Sequence, residues 1–486
     1  MKTVNELAKA TKVTQWVGPA EAQISALISD SRKAAAGTLF VAVKGTQVDA
    51  HDFIPQVIEK GCTVVVSERV VDVPKDVTLL IVPNTALALG ELAHAFYDYP
   101  SHSLQLVGIT GTNGKTTTTT LLHDLYTGLG YKVGLLSTVV NLIGKEVIPS
   151  THTTPDQIAL NALLADMVAQ GCSHCFMEVS SHAVSQNRIA GLVFKGGAFT
   201  NITHDHLDYH GTFKEYITAK KAFFDGMNKD AFALVNADDK NGMVMVQNTK
   251  AKVSTFALKT HADFKVKVLE NSFSGLLLTV NGIELWTRLI GDFNAYNIAT
   301  VYGVSQLLGS DSTEVLTVLS SLEAVDGRFQ FTKSATDITA VVDYAHTPDA
   351  LENVLKTIEN IRTRNEQVIT VVGCGGDRDA LKRPEMARIA CEMSDKVILT
   401  SDNPRTEDPA EILRQMEAGV GAHQTMKVLS ILDRDQAIKT AVSLAQAKDI
   451  ILIAGKGHEK YQDINGVKHP FDDFEVVKNY FNKLSK

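Results

Sequence analysis

Residues Val107–Leu125 read VGITGTNGKTTTTTLLHDL, an apolar strand, a glycine turn and the start of a helix set end to end. Lys115 stands where the three meet. In the run Gly111, Thr112, Asn113, Gly114, Lys115, Thr116, Thr117 the glycines let the backbone curl until successive N–H groups face one anion. The helix that follows adds the partial positive charge of its N-terminus. Lysine and threonine at these offsets suit a nucleoside triphosphate such as ATP. Lys115 would neutralise the β- and γ-phosphates, and the Thr116 hydroxyl would hold Mg²⁺. The usual eight-residue form of such a loop has glycine where this chain has Ile109. The loop is therefore a shortened variant and points to a narrower group than NTPases at large.

The pattern repeats outward from this loop. Residues 1–100 hold the short strands TLFVAVKG and CTVVVSE, then the helix-like ALALGELAHAFYDY. YPSHS at 99–103 reads as a linker, because Pro and Ser cluster between periodic segments. From about 104 strand, turn and helix alternate, through SHCFMEVSSH and FKGGAFTNITHDH. From about 330 four apolar strands each run into a polar or glycine-rich loop: TAVVDYAHTPDAL, QVITVVGCGGDRD, KVILTSDNPRTEDP and DIILIAGKGHEK. Strands alternating with helices predict an α/β chain with mostly parallel sheets. Its ligands should lie beyond the carboxyl ends of the strands. A length of 486 residues predicts three domains, drawn at 1–100, 101–329 and 330–486.

Composition narrows the class. The chain is 44% hydrophobic and 21% charged, with net charge −8 and no dense Lys/Arg block, which argues against nucleic acid as the main partner. No apolar run approaches a membrane span, and the start MKTVNELAKATKV lacks a signal-like apolar core, so no membrane association is expected. Five cysteines, an odd number, read as reduced thiols in a cytoplasm. Cys172 and Cys175 form a lone C-x-x-C, read as structural thiols, with metal or redox chemistry as the alternative.

Glu178 in MEVSSH and His206 in TNITHDHLDYHG each follow an apolar strand. They could face the phosphates as a second metal site, or lie on solvated turns. Lys220 and Lys221 sit in TFKEYITAKKAFFDGM. Two lysines on a helix usually mark a wet face, yet Tyr216, Phe223 and Phe224 at helical spacing put Lys220 on an apolar one. Asn294 and Asn297 in GDFNAYNIAT offer amides suited to a purine edge.

With these residues in view, the sequence resembles the Mur ligases, the ATP-dependent amide-forming enzymes of peptidoglycan precursor synthesis. Within them it is most similar to the branch that adds the third residue of the stem peptide. The motifs carrying the resemblance run the length of the chain: SDSRKAAAGTLFVAVKG, GTNGKTT, HTTPD, MEVSSHAVSQNR, NITHDHLDYHG, GDFNAYN, VDGRF, DYAHTPDAL, GCGGDRDALKRP, SDNPRTEDP and GKGHE. The resemblance implies a UDP-binding N-terminal domain, a central P-loop ATPase domain and a Rossmann-like C-terminal domain, in a monomer. Ser29, Ser31, Thr46, Gln47 and Val48 would touch the uridine nucleotide. His152, Thr153, Thr154, Ser180, Gln186 and Arg188 would hold the sugar and peptide, His152 standing where the family has asparagine. Asn294, Arg328 and Asp343 would contact ATP. Lys220 matches a lysine that CO₂ carbamylates in the family, giving an anion that helps Thr116, Glu178 and His206 hold Mg²⁺. The adjacent Lys221 is the other candidate.

The implied reaction phosphorylates the D-glutamyl γ-carboxylate of UDP-N-acetylmuramoyl-L-alanyl-D-glutamate with ATP, and an incoming amine then displaces phosphate. Asp402, Asn403, Pro404 and Arg405 match the DNPR form of ligases that add meso-diaminopimelate. Arg405 and Arg383 would pair with its distal carboxylate in fork geometry. Glu459 and the Gly455 carbonyl would take its distal ammonium. Asp-Asn-Pro is also good turn chemistry on its own. No residue stands out as the base for the amine. Rival expectations are the same reaction with L-lysine, a folylpolyglutamate synthetase and a nucleotide-binding scaffold without activity. A dinucleotide fold is set aside because Arg378 stands where the third glycine of its fingerprint would be.

Overall fold

The computed structural model describes residues 2–45, 48–150, 152–203 and 211–486. Three α/β units follow one another, each built on its own sheet. The first is five-stranded, ordered Gln15–Val17, Thr78–Ile81, Val64–Ser67, Thr38–Val41, Ala26–Ile28, parallel except at the Gln15–Val17 edge. Strands such as VVVS and TLLI are buried on both faces. That is why they read as unbroken apolar runs rather than alternations.

The central sheet has eleven strands. Seven are parallel, in the order Val133–Leu136, His174–Glu178, Gln105–Thr110, Gly196–Phe199, Phe232–Asn236, Lys252–Ala257, Phe264–Ser272. Antiparallel strands extend it at both ends. The phosphate-loop strand Gln105–Thr110 lies between His174–Glu178 and Gly196–Phe199, in the middle of the sheet. Helix Lys115–Gly128 packs Leu121, Leu122 and Leu125 onto the same core as Val107 and Ile109.

The third sheet has six strands, ordered Gln330–Lys333, Thr339–Asp343, Ile450–Ala454, Val368–Cys374, Lys396–Ser401, Val428–Ser430, with one antiparallel pair at its edge. A small hairpin, Tyr461–Ile464 with Val467–Pro470, leaves this unit. The 99–103 linker is a turn of 3-10 helix, Pro100–Ser103, entered through Tyr99 in the left-handed region at φ 56°. No helix among the described residues is long and apolar enough to cross a membrane. All five cysteines are buried and free, and burial pushes the Cys172 and Cys175 thiols up, so the C-x-x-C packs as core.

Candidate active site

Most long helices here carry an N-cap side chain that accepts a backbone N–H: Asn84, Asp156, Asp311, Thr347, Asp408, Asp433 and Asp472 do so. Helix Lys115–Gly128 does not. Its cap is Gly114 at φ 85°, with no side-chain hydrogen bond. The first N–H groups of this helix therefore face outward from the carboxyl end of the sheet, as a phosphate site requires. Neighbours hold the loop closely. A Cβ on Gly111 would lie 2.0 Å from Thr200 Oγ1, and one on Gly114 2.6 Å from Asn297 Oδ1. Lys115 Nζ donates to the Gly111 and Thr112 carbonyls, both at 2.9 Å.

Lys220, 1% exposed, comes from helix Phe213–Asp225 and donates to the same Gly111 carbonyl at 2.8 Å, with its Nζ 4.6 Å from the Tyr216 ring centroid. Lys221 instead pairs with Asp225 at 2.6 Å. Glu178 ends the strand beside the loop strand, in register with Ile109. It is fully buried, and it accepts from Thr138 N at 2.8 Å and Thr138 Oγ1 at 3.2 Å. A buried carboxylate met by the Thr138 donors has the oxygen chemistry a hard divalent cation takes, although no group of three His, Cys, Asp or Glu that could hold a metal stands together among the described residues. His206 lies outside the described residues, as do Thr46 and Gln47.

The C-terminal unit closes over this loop. Arg328 Nη2 reaches Thr116 Oγ1 at 3.2 Å, and the guanidinium lies 4.6 Å from the Tyr344 ring centroid. Asp343 accepts from Phe329 N at 2.7 Å; burial pushes its carboxyl up and Arg328 opposes this. Asp349 Oδ2 accepts from Asn113 Nδ2 at 3.2 Å and Thr203 Oγ1 at 3.0 Å. Sequence reasoning passed over Asp349 because one aspartate in a helix's first turn is ordinary. The purine-edge reading of the asparagines meets a different arrangement. Asn294 and Asn297 are 3% and 5% exposed. The Asn294 amide nitrogen donates to Ile290 O, its oxygen accepts from Asn297, and Asn297 Oδ1 accepts from Thr118. These bonds brace helix Asp292–Leu307 against the phosphate-loop helix and use one of the two protons on each amide nitrogen.

A second cluster draws together residues far apart in sequence. Thr154 Oγ1 donates to Glu178 O at 2.8 Å, and Arg188 Nη1 to Thr154 O at 2.7 Å. Arg188 also holds Gln186 Oε1, while Thr153 Oγ1 lies 3.0 Å from the Thr138 hydroxyl that donates to Glu178. Ser180 caps helix Ser181–Ser185, and Ser150 Oγ donates to His152 O. In the N-terminal unit Ser29, Ser31 and the half-exposed Val48 follow the adjacent parallel strands Ala26–Ile28 and Thr38–Val41. They are not in contact with the second cluster through any hydrogen bond between described residues.

The third cluster opens from the C-terminal sheet. The hairpin grips the DNPR loop: Arg405 N donates to Asp463 O, Asn465 N to Arg405 O, and Gln462 Nε2 to Asp402 O. Arg405 is left-handed at φ 51°, with Nη1 donating to Gly376 O at 2.6 Å. A Cβ on Gly455, at φ 116°, would lie 2.4 Å from Asp402 Oδ2. Glu459 Oε2 accepts from Asn403 Nδ2 at 2.5 Å; burial and then Asp402 push its carboxyl up, against Lys456. Burial holds His458, its ring 4.9 Å from that of Tyr344, down at about 3.

Arg383 departs from the expected pairing with a ligand carboxylate. It is 1% exposed and binds Glu407 through both Nη atoms at 2.8 Å, with Gln415 and Gly375 O taking the remaining Nη hydrogens and the buried Nε left without a hydrogen-bond partner among the described residues. Glu407, in the DNPRTE run, is the residue that sequence reasoning missed; its charge and its place after Arg405 were the available signal.

Comparison with known proteins covers the chain almost end to end. The family model "Mur ligase family, catalytic domain" matches residues 23–97, "Mur ligase middle domain" matches 109–305, and "Mur ligase, glutamate ligase domain" matches 327–457. A protein of Cytophaga hutchinsonii named UDP-N-acetylmuramoyl-L-alanyl-D-glutamate--2,6-diaminopimelate ligase is 58% identical over 485 residues, covering 99% of this chain and 100% of that one. One of the same name from Geobacillus kaustophilus is 42% identical over 465 residues, 94% of each. A solved structure of a ligase of that name superposes with a TM-score of 0.72 at 32% identity, covering 100% of this chain and 99% of that one.

Proposed function

The chain belongs to the Mur ligase family, and from that premise we propose that it is the ATP-dependent ligase joining meso-diaminopimelate to the D-glutamyl γ-carboxylate of UDP-N-acetylmuramoyl-L-alanyl-D-glutamate. The observation that carries the reading is the seam between the central and C-terminal units. There Arg328 bonds the phosphate-loop Thr116, and the amino-acid loops open from the same sheet that delivers Arg328. Relatives named for 2,6-diaminopimelate support that amino acid over L-lysine and over folylpolyglutamate synthesis.

The chemistry follows from charge. The substrate γ-carboxylate and the γ-phosphate of ATP are both anions, and their union into an acyl phosphate needs fixed positive groups. Lys115 and Arg328 supply two, and the uncapped N–H groups of helix Lys115–Gly128 add dipole. Thr116, Glu178, His206 and a Lys220 carbamate would hold Mg²⁺, which screens the phosphates when bound. Thr153, Thr154, Ser180, Gln186 and Arg188 would orient the peptide arm beside Glu178, and Ser29, Ser31, Thr46, Gln47 and Val48 the uridine end. Asp343, with Arg328, would position the nucleotide. Arg405 would receive the distal carboxylate of diaminopimelate, and Glu459 with the Gly455 carbonyl its distal ammonium. The γ-carboxylate oxygen bonds the γ-phosphorus as ADP leaves with the P–O pair; the near amine, once deprotonated, then attacks the acyl carbon, and phosphate leaves with the bonding pair. Phosphate release from ATP, measured with the UDP-muramoyl dipeptide and each amino acid in turn, tests the proposal. Release should depend on meso-diaminopimelate, and release with L-lysine alone would refute the choice of amino acid.

A further inference from the structure

The amide of Asn403 has no freedom to turn. Its oxygen accepts from Lys456 Nζ at 3.1 Å and from Asp463 N at 2.9 Å, so both lone pairs are used. A flipped amide would set its NH₂ against an ammonium and an N–H. The nitrogen is thereby aimed at Glu459 Oε2, 2.5 Å away. Lys456 is fully buried; it also donates to the Tyr461 carbonyl and lies 3.7 Å from the same Glu459 oxygen.

We infer that Lys456 is a positioning residue for the diaminopimelate site: through the Asn403 amide it aims the Glu459 carboxylate and gives it a buried counter-charge. The inference rests on the amino-acid site proposed above. Asp402 and Glu459 are both anions of this pocket, and the Asp402 charge pushes the Glu459 carboxyl up, since like charges in a buried site disfavour joint ionisation. The one cation in hydrogen-bond contact with both the DNPR loop and the hairpin among the described residues is Lys456. Its charge opposes the upward push that burial and Asp402 give the Glu459 carboxyl, favouring the form that accepts an incoming ammonium. Its hydrogen bonds leave the second carboxylate oxygen for that ligand. A lysine that merely pinned the hairpin would be replaceable by any side chain that still holds the Tyr461 carbonyl, whereas aiming Glu459 needs the cation itself.

Steady-state kinetics with each substrate varied in turn separate the two roles. Lys456→Met should raise KM for meso-diaminopimelate about 10–100-fold, the usual consequence of misdirecting one buried charged partner. KM for ATP and for the UDP-dipeptide, and kcat at saturation, should move less than about threefold. Lys456→Gln keeps N–H donors for Asn403 and the hairpin but removes the charge. It should raise the same KM, and it serves as the test if Lys456→Met does not fold. An unchanged KM for diaminopimelate in a folded variant, or an equal loss for all three substrates, overturns the role of Lys456. Failure of the wild-type enzyme to use diaminopimelate overturns the site reading as well, and is seen before any variant is made.

Discussion

Lys220 and Lys221 occupy successive positions on one helix, and their surroundings divide them. Lys220 is 1% exposed against the phosphate loop, while Lys221 holds Asp225 near the surface. If carbamylation serves Mg²⁺ here, the lysine among the phosphate-loop contacts is the one modified. Carbon NMR of native protein in labelled bicarbonate should show one carbamate signal, lost in Lys220→Ala and kept in Lys221→Ala; the reverse pattern assigns it to Lys221. Arg405 bears on amino-acid choice in the same way. With Arg383 committed to Glu407, the guanidinium of Arg405 is the one left to face a distal carboxylate. L-Lysine would leave that charge unpaired, at a cost of about 3–5 kcal/mol. Arg405→Ala should lose a few hundred-fold in kcat/KM with diaminopimelate and gain little with lysine, as competition assays would report. At this scale the sequence reveals residues whose type the chemistry dictates, such as Lys115, Thr116 and Lys220. It does not reveal which partner takes a given side chain. Arg383 has the type of a ligand-binding arginine, and only folding brings Glu407 to it.

Among elements, the parallel strands were readable because burial on both faces makes them apolar runs, as in Gln105–Thr110 and Ile450–Ala454. The hairpin Tyr461–Pro470 was not. Its second strand, VKHP, is exposed throughout and its first, YQDI, only half buried, so no periodic pattern marks them. Yet this hairpin shapes the DNPR loop. Beneath that loop Arg434 and Asp473 form a fully buried pair, and Arg434 also bonds Ser401 O and Ala454 O, the last residues of two strands that feed the site. Removing one partner strands the other charge. Arg434→Ala should cost about 3–5 kcal/mol in chemical denaturation, whereas the double change Arg434→Met, Asp473→Leu should recover most of it. Equal losses in the single and double variants would mean that the pair acts by packing rather than charge.

Across the whole molecule the three units meet at two seams. One joins the phosphate loop to Arg328 and Asp349; the other joins helix Thr85–Phe96 of the first unit to the central one. At the second seam a Cβ on Gly90 would lie 2.7 Å from Ala190 Cβ, and Gln157 Nε2 donates to Ala86 O. Ser101 Oγ bridges the seam. It accepts from Val193 N at 2.9 Å and lies 2.8 Å from His94 Nε2. The hydroxyl proton is then available to Nε2 of the neutral ring. Burial, and then the neighbouring His102, lower the His94 pKa from 6.5 to about 4. In the window between these values the unfolded chain binds the proton and the folded one does not. Stability from this group is therefore complete above 6.5 and drains away as pH falls toward 4. Allowing for solvent at the edge of the seam, the loss is about 2 kcal/mol. His94→Gln keeps an acceptor for Ser101 without a titrating ring. Its unfolding free energy should fall less than that of wild type between neutral pH and pH about 4. Parallel curves for the two proteins would show that His94 does not carry the acid sensitivity of this seam.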